Sequence, residues 1–202
     1  MIVSIDGNIG SGKSRLLSAL AQTGLPYAFL PEPVDKWTRV VDSSGKNILE
    51  HFYENKSQYA CLMQLMALVT RYNEFEGMTN DVIVSERSLS TDVQIFATSL
   101  FDSGYMSDIE WTVYQQWHKM FYDKTPTKHI IYIDTPPSKC LEHIRLRNRK
   151  GENLIDEQLL QMYDRYHMTY IADKPSVLIL SHLDPLEKQV EMVVGFLKRV
   201  TT

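Results

Sequence analysis

An α/β fold, a five-stranded parallel sheet flanked by helices, is what the sequence predicts, and three observations predict it. Five short apolar runs are nearly continuous in Ile, Val and Leu instead of alternating, as expected of strands covered on both faces. Amphipathic helical patterns separate these runs, which is the arrangement that parallel strands need for their crossovers. At 202 residues the chain is expected to form a single domain, 1–202, because domains run to about 100–200 residues before a core splits.

The elements follow in order. Ile2 to Ile5 is the first strand, and a glycine-rich stretch leads from it into a helix over Ser14 to Gln22, whose Leu16, Leu17 and Leu20 share a face and which meets Gly24 as a stop. Tyr27 to Leu30 is the second strand. One long helix is expected over Asn47 to Phe75, where Tyr59, Leu62, Met63, Met66 and Val69 recur at three- and four-residue spacing. Val82 to Val84 is the third strand, and Asp108 to Phe121 repeats the helical spacing with Trp111, Tyr114, Trp117 and Phe121. His129 to Ile133 and Val177 to Leu180 complete the sheet. Asp184-Pro185-Leu186-Glu187 then offers a capping box with proline at the first helical position, ahead of Leu186, Val190, Val193, Val194 and Leu197 on one face. Ligands of such a sheet bind at the carboxyl ends of its strands.

Composition narrows the function. With 21 basic and 25 acidic residues the net charge is −4, so the chain lacks the broad positive field of a nucleic-acid binder, and any polyanion it takes should be small. No basic leader and no long apolar segment is read, which predicts a cytoplasmic protein without a membrane partner. Cys61 and Cys140 lack the paired spacing of a zinc or redox site, and the six histidines lack metal-ligand spacing.

Gly7-Asn8-Ile9-Gly10-Ser11-Gly12-Lys13-Ser14 fits the phosphate-loop pattern G-x-x-x-x-G-K-[ST], after a strand and at the start of a helix. The glycines let backbone N–H groups converge on phosphate oxygens, and the helix dipole adds to them. Lys13 places a charge on the outer phosphates of ATP, and the Ser14 hydroxyl can ligate Mg²⁺. Glu32, between Pro31 and Pro33 at the end of the second strand, is a rigidly held carboxylate able to accept the proton of an attacking hydroxyl. After the third strand, Ser85-Glu86-Arg87-Ser88 offers Glu86 to the Mg²⁺ shell and Arg87 to orient Glu32, although a structural ion pair would leave the same short segment. The basic cluster Arg145 to Lys150 before Gly151 reads either as a solvated helix end or as a lid, about 145–154, that brings Arg147 and Arg149 over a transferring phosphoryl group.

Taken together, GNIGSGKS, PEPVDKW, Tyr53 with Gln64, SERS followed by Asp92 and Phe96, EWTVYQQWH and RLRNRKGE resemble the deoxynucleoside kinases of the deoxycytidine and deoxyguanosine kinase type, including viral and insect enzymes. The resemblance implies a P-loop kinase fold with an arginine-bearing lid, and γ-phosphate transfer from ATP to the 5′-hydroxyl of a deoxynucleoside in nucleotide salvage. It gives Glu32 the role of general base with Arg87 as partner, Ser14 and Glu86 the metal side, and Arg147 and Arg149 the lid. Tyr53 and Glu152 would hold the sugar 3′-hydroxyl, Gln64 would pair with the base edge, and Ile9, Val34, Trp37, Leu49, Phe52, Met63 and Phe96 would wall the base pocket. A homodimer is implied as well. Two departures stand out: His143 occupies a position where the family often has a further arginine, and Phe52 and Met63 stand where methionine and phenylalanine, in that order, are more usual.

Ala67 and Arg71 follow Gln64 by three and seven residues, so all three share a helix face that Asp92 can join. An ionised aspartate only accepts, which suits the exocyclic amino group of deoxycytidine or deoxyadenosine and not the carbonyl of thymidine. Members of the resembled family of the deoxycytidine and deoxyguanosine kinase type carry this Arg and Asp pair, so the resemblance implies deoxycytidine first and purine deoxynucleosides second. The alternatives are a broad-specificity or thymidine-accepting enzyme and a nucleoside monophosphate kinase, which would need another cation at the acceptor site. A GTPase switch would need Asn-Lys-x-Asp, and Asn55-Lys56-Ser57-Gln58 lacks the acid.

Overall fold

In the computed structural model, which describes residues 1–201, the elements in order are β1 (Ile2–Asp6), α1 (Lys13–Ala21), β2 (Ala28–Leu30), α2 (Val34–Thr38), α3 (Ile48–Glu54), α4 (Lys56–Glu76) and β3 (Ile83–Glu86). There follow α5 (Leu89–Thr91), a π-helical turn over Asp92–Ala97, α6 (Thr98–Asp102), α7 (Asp108–Tyr122), β4 (Thr127–Asp134), α8 (Pro137–Arg147), a 3₁₀ turn over Glu152–Leu154, α9 (Glu157–Ala172), β5 (Val177–Ser181) and α10 (Leu186–Val200). The strands run β2-β3-β1-β4-β5, every pair parallel. This is the α/β fold the sequence predicts.

Strand alternation decides what each face covers. Val3 and Ile5 of β1, with Ile131 and Ile133 of β4, pack against Leu16 and Leu20 of α1 and Val193 and Leu197 of α10. On the opposite face Ile83 of β3 packs against α4 and α7, while Ile130 and Tyr132 of β4 pack against Tyr163 and Tyr170 of α9. Ile5 is fully buried, and truncating such a side chain to alanine costs about 2–5 kcal/mol. Ser4 and Asp6 are also fully buried, and by the same alternation they face away from α1 and α10.

Three expectations are corrected. Asn47 to Phe75 is two helices, α3 and α4, because Asn55 leaves helical geometry (φ −143°, ψ 79°) and its side-chain oxygen caps α4 by accepting from the Gln58 N–H. Tyr53 and Gln64 therefore stand on separate helices. Asp184 forms no capping box: α10 starts at Leu186, so Glu187 is one residue too early in it, and the Asp184 carboxylate takes the Lys188 ammonium instead. The edge strands β2 and β5 are only partly covered, and Ile179 of β5 is 57% exposed. Among the described residues no helix is long and apolar enough to cross a membrane.

Candidate functional site

The carboxyl ends of β1, β2 and β3 deliver the phosphate loop, Glu32 and Glu86-Arg87 to one side of the sheet. Gly7 (φ +145°) opens the loop where an added Cβ would stand 2.6 Å from Ser11 Oγ and 2.9 Å from the Ile133 carbonyl oxygen, so only glycine fits. Asn8 fastens the loop to α9 by donating to the Leu160 carbonyl at 2.7 Å and accepting the Ile9 N–H at 2.9 Å. Gly10 and Gly12 take positive φ, and Gly12 caps α1 without a side chain, leaving the helix amino terminus uncovered. Lys13 curls back to donate to the Gly7 and Asn8 carbonyls at 3.2 and 2.7 Å. Burial and then the Arg87 charge lower its pKa to about 8, against the pull of Glu86 and Glu32. Ser14 Oγ donates to Glu86 Oε1 at 3.0 Å.

Beyond the loop lies a cavity of about 80 Å³ that opens to solvent. Ile9, Trp37, Leu49, Phe52, Met63, Ala67 and Phe96 form its apolar wall, and Tyr53 and Gln64 its polar points. Lys13, Glu32, Glu86, Arg87, Asp92, Arg147, Arg149 and Glu152 also reach it. Val34 is not among its lining residues, since it starts α2 and packs into the neighbouring core instead. Trp37 is fixed by its indole N–H, which donates to Thr70 Oγ1 at 2.9 Å. The break at Asn55 matters here because Leu49, Phe52 and Tyr53 come from α3 while Met63, Gln64 and Ala67 come from α4.

Glu32 Oε1 lies 3.1 Å from Arg87 Nε and 3.4 Å from Arg71 Nη2. Burial alone would raise the Glu32 pKa, but Arg87, then Arg71, Lys13 and Arg149 overcome it and hold the carboxyl below its ordinary value. Arg71 is itself pinned: its Nε and Nη2 donate to the two oxygens of Asp92 at 2.8 and 3.2 Å, and its Nη1 donates to the Glu86 carbonyl at 2.6 Å. Arg87 holds a left-handed backbone (φ +65°), which costs a non-glycine residue about 1–2 kcal/mol. Its guanidinium stacks over Phe96 at 4.5 Å, and its buried Nη1 has no acceptor within the described residues.

At and just past the end of α8, Arg147 and Arg149 both donate to Glu152, Arg147 through Nε and Nη2 at 2.8 to 3.1 Å and Arg149 through Nη1 at 2.9 Å. Gly151 permits the turn, since a Cβ there would stand 3.1 Å from the Glu50 Cα of α3. Burial, then the neighbouring Tyr163, Glu152 and Glu32, raise the Tyr53 pKa and keep its phenol protonated. His143 Nδ1 lies 2.7 Å from the Gly10 carbonyl oxygen, an acceptor only, so this nitrogen carries the proton. The residue that stands where the resembled family often has an arginine thus braces α8 on the phosphate loop.

Two features had no sequence assignment. Tyr163 of α9 lines the cavity edge-on to Phe96, ring centroids 5.0 Å apart, and the spacing of Leu160, Tyr163, His167 and Tyr170 was its only signal. Asp6 is wholly buried behind the loop, and burial raises its pKa against the hydrogen bond it receives from Thr91 and the charge of Arg87. Among the described residues no group of three or more His, Cys, Asp or Glu side chains converges as a metal cage. Ser14 and Glu86 nevertheless fit Mg²⁺, which takes one or two protein oxygens and completes its shell with phosphate and water.

A phosphate loop opposite a small, mostly apolar cavity, with a carboxylate held between them, defines a P-loop phosphotransferase with a small-molecule acceptor. The chain belongs to the deoxynucleoside kinase family, whose model matches residues 3–200, and so is an ATP-dependent kinase of deoxynucleosides. It is 33% identical over 196 residues to deoxycytidine kinase 2 of Gallus gallus, covering 85% of this chain and 74% of that protein. Deoxycytidine kinase of Homo sapiens is 31% identical over 196 residues, 85% and 75% of the two chains. The mitochondrial deoxyguanosine kinase of Xenopus laevis is 27% identical over 194 residues, 85% and 73%.

Proposed function

We propose that the chain phosphorylates the 5′-hydroxyl of deoxycytidine most efficiently and of purine deoxynucleosides next, as a cytoplasmic homodimer that supplies DNA precursors by salvage. The observation that carries the base preference is Asp92, which lines the cavity with both oxygens held by Arg71 and so presents an acceptor to the base. An exocyclic amino group satisfies it, whereas the thymidine carbonyl and methyl leave it unpaired. The relatives named above include deoxycytidine and deoxyguanosine kinases, which supports these two classes of acceptor.

In this reading Gln64 meets the base edge, Phe96 and Trp37 hold its faces, and Tyr53 with Glu152 holds the 3′-hydroxyl. Glu32 accepts the 5′-hydroxyl proton: its Oε1 carries both guanidinium contacts, which leaves Oε2 for the substrate. Arg87 keeps Glu32 in place and offers its unpartnered Nη1 to the reacting oxygens. Lys13 and the loop N–H groups hold the outer phosphates, and Arg147 and Arg149 turn from Glu152 toward the transferring phosphoryl group. Ser14 and Glu86 would hold Mg²⁺, which neutralises developing phosphate charge when bound. A nucleoside monophosphate as acceptor is disfavoured, because Arg71, the cation at the base end, is already engaged by Asp92.

The test measures kcat/KM for each deoxynucleoside with ATP and Mg²⁺, in the wild type and in Arg71→Met with Asp92→Ala. A buried polar pairing discriminates by up to about 10⁴-fold against an analogue that cannot make it. Wild type should prefer deoxycytidine, and the double variant should shift toward thymidine. A wild-type preference for thymidine, or an unchanged ranking in the variant, would show that Asp92 does not read the base.

A further inference from the structure

Asp6 ends β1 immediately before the phosphate loop and is fully buried, on the sheet face opposite α1 and α10. Its Oδ1 accepts a 2.6 Å hydrogen bond from Thr91 Oγ1, and its Oδ2 has no partner within the described residues. A buried carboxylate with one side-chain partner is a stability cost that an apolar residue would avoid. Its geometry shows what it holds.

Thr91 lies four residues after Arg87, whose left-handed backbone persists only if its surroundings fix it. On the near side, the Arg87 N–H donates to the Ile5 carbonyl at 3.0 Å, and the preceding Glu86 carbonyl accepts from Arg71. On the far side, Ser88 Oγ accepts the Thr91 N–H at 3.3 Å and lies 3.0 Å from Thr91 Oγ1. Thr91 spends its one hydroxyl proton on the Asp6 carboxylate, so Ser88 must donate to Thr91. The turn that carries Arg87 is thus tied to β1 twice, through the Ile5 main chain and the Asp6 side chain.

We propose that Asp6 and Thr91 are positioning residues for the phosphoryl transfer, setting Arg87 and through it Glu32 by clamping the turn between them to the strand that bears the phosphate loop. This rests on the reading in which Arg87 orients Glu32. Displacing a catalytic group by about 1 Å can cost on the order of 10²-fold in rate without a contact to substrate being lost. The clamp therefore acts on kcat more than on nucleotide binding.

The test is a double-mutant cycle of Thr91→Val and Arg87→Ala, with Thr91→Ser as the conservative variant, read by kcat, by KM for ATP and by thermal melting. Thr91→Val should lower kcat by about 10- to 100-fold with KM for ATP changed less than about threefold, and Thr91→Ser should stay within about threefold of wild type. In the Arg87→Ala background the same Thr91→Val change should cost less than about twofold, because groups that act as a unit are not additive. Equal losses in both backgrounds, or a Thr91→Val enzyme with wild-type kcat, would overturn the proposal. If Thr91→Val does not fold, Thr91→Cys carries the same expectation, since a thiol is a weak donor. If Arg87→Ala itself leaves kcat unchanged, the role of Arg87 fails first; if only Arg87→Ala is impaired, the clamp alone fails.

Discussion

Glu32 shows how far a single residue's surroundings fix its chemistry. Two prolines set its backbone, and two guanidinium groups hold Oε1, so the carboxylate is a placed acceptor and not a mobile surface acid. Glu32→Gln should keep ATP binding, followed by calorimetry, while kcat falls by about 10²–10⁴-fold, the range for a positioned base; turnover within twofold of wild type would remove it from the reaction. Because its folded pKa is depressed, Glu32 is ionised above the ordinary carboxylate range and loses its role only as pH falls through a value below 4.5. An acid limb in kcat that disappears in Glu32→Gln yet is centred above pH 5 would contradict this. Lys13 carries the opposite sign. Its pKa is lowered to about 8 by burial and by Arg87, and a bound triphosphate must raise it. ATP affinity is then full below that pH and weakens as pH rises through it, with proton uptake on binding near pH 8, measurable by calorimetry in two buffers of different ionisation enthalpy. The phosphate loop was legible because its chemistry occupies consecutive residues. Asp6, Thr91 and Tyr163 were not, since each is a lone residue whose meaning depends on the element it meets across the fold.

Elements place the two halves of the acceptor cavity, and here the sequence pattern misled at one point for a clear reason. Apolar spacing continues from α3 into α4, so nothing in the periodicity reveals the break, whereas the local competition of the Asn55 side chain for the Gln58 N–H does. The strands were legible as apolar runs, but which of them lie at the edges depends on sheet order, which no single run encodes. The proposed lid is an element-scale device as well. Helix α8 is braced on the phosphate loop by His143, and Arg147 at its end and Arg149 just past it close on Glu152 beside α3, so in this state the proposed phosphate contacts and the proposed sugar contact satisfy one another. Arg147→Ala and Arg149→Ala should each lower kcat by at least about tenfold, while deoxynucleoside affinity changes less, because the charge that they meet develops in transfer. Turnover and nucleoside affinity measured together decide it: unchanged turnover with weakened nucleoside binding would mean that the pair only shapes Glu152.

At the scale of the whole molecule, one surface remains unexplained by the site. On α7 Ile109, Val113, Trp117 and Met120 are 75%, 41%, 46% and 44% exposed, and their spacing of four, four and three puts them on one stripe. On α4, which packs beside α7, Leu62 and Val69 are 54% and 39% exposed and lie two turns apart on one side. Apolar side chains gathered on two adjacent helices, with the cavity on the far side of α4, fit the contact face of the homodimer proposed above. The two helices run the same way, with Cys61 near Glu110 and Tyr72 stacked on Phe121, and such a patch can meet its own copy about a two-fold axis, each α7 stripe covering the other chain's. The wild type should therefore sediment as a dimer at low-micromolar concentration, and Val113→Arg with Trp117→Glu should sediment as a folded monomer, because neither side chain belongs to the buried core. Met63, Gln64 and Ala67 project from α4 into the cavity, so the monomer should also show a raised KM for deoxynucleoside while ATP binding at the phosphate loop persists. A wild type that sediments as a monomer, or a double variant that remains a dimer, would place the contact elsewhere and leave this stripe without a partner.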